Sequence, residues 1–212
     1  KSLFHLGIIY LKEKLSQNDK NKGIYYLKLA ANNNDIKSQI YLYEIYYYGI
    51  HTVKDVDLAI YYLQMAEKKK NPVAQFLFGM YYFNKNDYHK KEKSIYYLES
   101  SANQNFSDAL YILGHFYQKG IIVHKDINKA IDFLLRAAKK NNSKALYELG
   151  LIYLYGENGQ PDINKSIYYL SQSAKLNNIE AEYSLGIIYL TNSSINKGLF
   201  YINKSANSHY WK

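Results

Sequence analysis

Apolar residues along this chain recur at three- and four-residue intervals rather than alternating, and polar stretches cut the pattern into short helical lengths. The pattern also repeats over a longer distance. A small residue followed by an aliphatic–aromatic run opens each period, at Ser2, Ser38, Ala74, Ala109, Ala145 and Ala181, with spacings of 36, 36, 35, 36 and 36 residues. Each period holds two apolar bursts separated by a polar turn, and so predicts one helix–turn–helix unit. Counting the opening residue as zero, position 5 is glycine in five periods (Gly7, Gly79, Gly114, Gly150, Gly186) and Tyr43 in the second. Position 8 is always tyrosine (Tyr10, Tyr46, Tyr82, Tyr117, Tyr153, Tyr189), and position 11 is glycine at Gly49, Gly120 and Gly156. The second burst opens on a phrase written KSIYYL at Lys93–Leu98 and Lys165–Leu170, with variants at Lys22–Leu27, Leu58–Leu63 and Lys197–Ile202.

The polar residues between bursts read as helix punctuation. Asp55, Asp126 and Asp162 stand where an N-cap or first-turn acid belongs ahead of the second helix. Asn34, Asn105, Asn141 and Asn177 follow the small pairs that close it, and asparagine tolerates the left-handed conformation that ends a helix. The glycine within the first burst lets two helices approach closely, because no side chain intervenes. The pattern A-x3-L-G-x2-Y-x2-G, then D-x2-K-A, then A-A, resembles the Sel1-like repeat, a relative of the tetratricopeptide repeat. Its fullest statement is ALYILGHFYQKGIIVHKDINKAIDFLLRAAKKNNSK, opening at Ala109. The resemblance implies an all-α, right-handed α/α superhelical solenoid. The units fall at about 2–37, 38–73, 74–108, 109–144, 145–180 and 181–212, as one array. The last unit has a turn four residues shorter, and the cysteines that staple the helices of some members are absent. No polar capping segment closes either end, so the register predicts a slice of a longer array.

On a helical wheel, positions 0, 4, 5 and 8 of the first helix form the stripe that faces its partner. Positions 2, 6 and 9 form a second stripe that is also mostly apolar, whereas a surface helix needs only one. In related arrays the first helices line the concave face, so positions 6 and 9 are the expected groove for a protein or peptide. They are Ile8, Leu11, Glu44, Tyr47, Met80, Phe83, His115, Gln118, Leu151, Leu154, Ile187 and Leu190. Position 2 (Phe4, Ile40, Phe76, Tyr111, Tyr147, Tyr183) either joins this groove or packs on the next unit. In the second helix, the first tyrosine of each phrase points to solvent and the second to the shoulder of the core stripe, where its ring packs and its hydroxyl stays wet.

Composition changes this picture little. The chain has 212 residues, 48% hydrophobic, with two prolines, no cysteine and a net charge of +9. Its excess of Asn, Lys, Ile and Tyr is that of an AT-rich genome. No apolar run reaches the roughly 18–20 residues of a membrane span. The first residue is Lys rather than Met. The lysines gather in turns, and the groove stripe has cations only at its edges, Lys12 and Lys119, which argues against nucleic acid as partner.

Catalytic and metal-binding patterns are sparse. The histidines (His5, His51, His89, His115, His124, His209) show no metal-ligand spacing, so no metal or cofactor is expected. One S-x-x-K, Ser194–Lys197, echoes serine-acylating penicillin-binding enzymes, but without their S-D-N and K-T-G companions it reads as a turn serine beside the ordinary repeat lysine. Five N-x-S sites, at Asn105, Asn141, Asn164, Asn192 and Asn203, would accept glycans in a secretory compartment. The expectation is a non-enzymatic scaffold or adaptor holding a protein or peptide. The alternatives are a serine-acylating enzyme or a basic nucleic-acid-binding array.

Overall fold

A computed structural model describes residues 2–12, 16–85 and 87–209. Among these residues every regular element is an α-helix: α1 (Leu3–Tyr10), α2 (Gln17–Asn32), α3 (Ile36–Tyr48), α4 (Val56–Glu67), α5 (Pro72–Phe83), α6 (Tyr88–Asn103), α7 (Ser107–Lys119), α8 (Ile127–Ala138), α9 (Ser143–Tyr155), α10 (Ile163–Lys175), α11 (Ile179–Thr191) and α12 (Ile195–His209). They form six helix–turn–helix repeats, an all-α solenoid of paired helices. The chain divides into two compact units, Lys1–Ser101 and Ala102–Lys212. The first holds α1 to α5 and most of α6, and the second holds α7 to α12.

The helix ends follow the predicted punctuation and add to it. The side chains of Asp55, Asp126 and Asp162 accept from the backbone N–H of Leu58, Lys129 and Lys165. Asn34, Asn105, Asn141 and Asn177 are left-handed, with φ of 64°, 59°, 58° and 59°. The first helices of most repeats begin two residues ahead of the small opening residue, because Asp35, Asn71, Asn142 and Asn178 cap them. These four side chains accept from the N–H of Ser38, Ala74, Ala145 and Ala181. The small residue is therefore the third residue of its helix, and it is buried.

Within a repeat, the position-5 glycine meets the leucine that closes the tyrosine phrase. A Cβ added to Gly150 would lie 2.6 Å from Leu170 Cγ, and one on Gly114 would lie 2.7 Å from Leu134 Cγ. Leu27, Leu98, Leu134 and Leu170 are fully buried at these crossings, each contributing roughly 1.5–3 kcal/mol of hydrophobic stabilisation. In the second repeat Tyr43 stands in place of the glycine and is itself buried, stacked on Tyr47 at 5.2 Å. Burial, followed by the neighbouring Tyr47 and Tyr48, pushes its phenol well above the ordinary range.

The second tyrosine of the phrase packs as its wheel position requires. The position-8 ring of each first helix stacks on it: Tyr10 on Tyr26, Tyr46 on Tyr62, Tyr82 on Tyr97, Tyr117 on Phe133, Tyr153 on Tyr169 and Tyr189 on Tyr201. Ring separations run from 5.5 to 6.0 Å. The phrase lysine lies over the position-8 ring, at 5.2 Å for Lys165 on Tyr153 and 5.3 Å for Lys129 on Tyr117. Where the second repeat has Leu58 in that place, Lys28 covers Tyr46 instead, at 5.5 Å. Each stack is thus a cation–ring–ring sandwich.

Candidate protein-binding surface

Neighbouring first helices touch through positions 2 and 3. In the first unit, Phe4 meets Tyr41 edge-on at 6.4 Å. In the second, the Tyr111 phenol is near enough to the Glu148 carboxylate to feel its charge, and the Tyr147 hydroxyl hydrogen-bonds Ser184. Burial first, and then that carboxylate, raises the Tyr111 phenol above its ordinary value. Position 2 therefore spends much of its ring on the next repeat, and Tyr183 in the last repeat is 55% exposed.

Positions 6 and 9 behave differently from each other. Leu11 is 5% exposed and seats on Gly23 of its own second helix, where a Cβ would come within 2.8 Å of Leu11 Cγ. Leu190 does the same at Gly198. Gln118 is 1% exposed, its Nε2 donating at 3.1 Å to Glu157 Oε1 in the loop of the following repeat, where Lys125 also pairs with Glu157. Tyr47 is held between the Tyr43 ring and the Lys54 ammonium at 5.6 Å. Leu154 packs partly onto the core cluster around Leu170, and Phe83 is half-buried. The position-9 column thus turns towards the second helix.

Position 6 stays at the surface. Ile8, Glu44, Met80, His115 and Leu151 are half-buried, and Ile187 is 42% exposed. Two groups here carry polarity. Burial raises the Glu44 carboxyl above the usual range. His115 Nδ1 lies 3.4 Å from Glu148 Oε1 of the next repeat, with the Tyr111 ring beside it at 6.2 Å.

One turn further along the same column is position 10, which the sequence reading left out. It holds Tyr48 and Tyr155, exposed by 65% and 69%. Spacing of four residues puts them on the face of Glu44 and Leu151, and that spacing was available from the sequence alone. Recurring residue types end at position 9, while position 10 varies among Lys, Tyr, Asn and Thr.

Ser194 lies in the turn before α12, where its N–H donates to Tyr189 O and its carbonyl accepts from Gly198. Lys197 lies over the Tyr189 ring at 5.5 Å, as the phrase lysines of the other repeats do. The S-x-x-K is therefore repeat architecture. Among the described residues no group of three or more His, Asp or Glu side chains is placed to hold a metal ion, and no described helix is long and apolar enough to cross a membrane.

The repeated glycine–leucine crossing and the stacked position-8 tyrosine have a counterpart in known sequences. The Sel1 repeat matches at residues 1–35, 38–71, 72–106, 107–142 and 143–178. The chain belongs to the Sel1 repeat family. The sixth repeat lies outside these matches, although α11 and α12 pair as the others do, with Gly186 against Ile202 across the shortened turn. Among solved structures, a Sel1 repeat protein from Oxalobacter formigenes is similar over 97% of this chain and 86% of its own, at 23% identity and a TM-score of 0.83. An immunity protein from Pseudomonas aeruginosa is similar over 97% and 80%, at 18% identity and a TM-score of 0.63. A protective antigen of uropathogenic Escherichia coli with this fold is similar over 97% of this chain and 53% of its own, at 20% identity and a TM-score of 0.54. No curated protein matches at a significant level. At these identities the structures share the fold. The Sel1 family places the chain among non-enzymatic protein-interaction modules.

Proposed function

We propose that this Sel1 repeat chain is a scaffold that holds a protein or peptide along the position-6 and position-10 column of its first helices. The observation that carries the reading is a second apolar stripe at the surface: Leu151, Tyr155 and Ile187 in the second unit, and Tyr48 beside Glu44 in the first. A helix needs one apolar stripe to pack, and aromatic and aliphatic rings left on another face are the anchors that protein recognition uses. Positions 2 and 9 support these anchors from behind, through packing on the next repeat and on the second helix. The His115–Glu148 pair gives the surface a polar point that orients a ligand.

Selection of random displayed peptides on the chain tests this. Peptides so selected should lose more than about tenfold in affinity for a Leu151→Glu, Tyr155→Ala double variant, while Tyr61→Ala, at an exposed position of α4, leaves them bound. Equal binding to wild type and a folded double variant sinks the assignment.

A further inference from the structure

The outer side of the second unit carries a separate feature. Between α8 and α10 lies an open cleft of about 470 Å³, floored by Leu135, Leu146 and Leu176 and rimmed by Lys139 and Lys175. No carboxylate lines it. Neither lysine has an ion-pair partner among the described residues. Each stands at the C-terminal end of its helix, where a cation suits the helix dipole. Leu176, at 40% exposure, is an apolar side chain left facing water beside them.

The preceding junction of the same unit shows what this cleft is missing. There Arg136 of α8 reaches back, and its Nη2 donates to the carbonyl of Ala102 at 3.0 Å and to Asn105 Oδ1 at 3.4 Å. Ala102 and Asn105 correspond, 36 residues on, to Ala138 and Asn141, both of which line the cleft. The counterpart of Arg136 is Gln172, which also lines the cleft and makes no such bond. Asn105 N donates to Ala102 O at 2.8 Å, and Asn141 N donates to Ala138 O at 2.9 Å. The Ala138 oxygen therefore keeps the second lone pair that Arg136 takes up at Ala102. One substitution in the repeat, Arg to Gln, thus removes the side chain that occupies the equivalent place next door.

We propose that this cleft binds a short acidic peptide, with one apolar side chain seated on the leucine floor, flanking carboxylates against Lys139 and Lys175, and a backbone N–H donated to Ala138. Charge selects the class of partner. Two unpaired ammonium groups over an apolar floor favour carboxylates beside a hydrophobic anchor and repel basic segments. The site does not depend on the first-helix column, and either can fail alone.

The test uses end-labelled nonapeptides followed by fluorescence anisotropy. One consists of Asp and Glu around a central Leu, a second has Ala at the centre, and a third has Lys in place of every acid. The first should bind, and the second and third should be weaker by at least about fivefold. A Lys139→Glu, Lys175→Glu double variant should weaken the first peptide by a similar factor or more. Gln172→Arg is the decisive variant. It adds positive charge, so bare electrostatic attraction would strengthen binding. Filling the cleft as Arg136 fills its neighbour should instead abolish it, with the helical circular dichroism unchanged. Binding that ignores the central Leu, or that survives Gln172→Arg, overturns the proposal. Methyl chemical shifts locate the site, and the acidic peptide should move Leu135 and Leu176 but not Leu151.

Discussion

The two tyrosines of the repeated phrase are neighbours in sequence and identical in chemistry, yet they occupy opposite environments. In α10, Tyr169 lies flat on Tyr153 at 5.5 Å, while Tyr168 meets Tyr169 edge-on at 5.1 Å and is 59% exposed. The same division holds at Tyr61 and Tyr62, and at Tyr96 and Tyr97. A rotation of about 100° between successive helical residues is enough to separate them. The inner ring belongs to a structural sandwich repeated six times, and the outer ring adds area at the surface. Residue type therefore says little about role here, and angular position says most of it.

Substitutions that break the sandwich should separate the two tyrosines by free energy. Tyr169→Ala removes a stacked, partly buried ring and should cost about 2–3 kcal/mol in a urea titration. Gly150→Ala forces a methyl to within 2.6 Å of Leu170 Cγ. The pair of helices must then open, at a cost of about 1–2 kcal/mol, and the Tyr153–Tyr169 stack loosens with it.

Alkali tests the inner ring without mutation. Burial, and then the neighbouring Tyr46, pushes the Tyr62 phenol up to about 12 from 10.0. Because the folded value is raised, this contribution to stability is complete below pH 10 and is lost as pH climbs towards 12. Tyr62→Phe should therefore flatten the alkaline fall in melting temperature, whereas a Tyr61→Phe variant that flattened it equally would erase the distinction. Lys165→Met keeps the aliphatic stem but removes the charge over Tyr153, and should cost about 0.5–1 kcal/mol. Tyr168→Ala should shift stability by no more than about 0.5 kcal/mol. A larger effect would place the outer ring in the fold after all.

Much of this was legible from the chain alone. Helix pairs, the asparagine and aspartate punctuation and the fate of both tyrosines follow from local periodicity, since each depends on partners within one repeat. The capping role of Asp35, Asn71, Asn142 and Asn178 is less legible, because these residues lie three positions ahead of the recurring small residue and alternate between Asp and Asn. The groove expected at positions 6 and 9 rested on helical phase alone. Position 9 has the residue types of a binding stripe, but Leu11 and Leu190 are drawn down onto Gly23 and Gly198 of their own second helices, and Gln118 is claimed by Glu157, 39 residues away.

Sequence by itself determined the repeat, its caps and the inner stack, because helical phase fixes which side of a helix meets its own partner. Which remaining side chains stay available was decided by the tertiary structure. Gln118 is withdrawn and Tyr155 left open by the neighbouring repeat, and Arg136 closes one junction where Gln172 leaves the next one open. Those outcomes turn on the reach of single side chains across a repeat boundary. A 36-residue periodicity records that boundary as a spacing and carries no information on what crosses it.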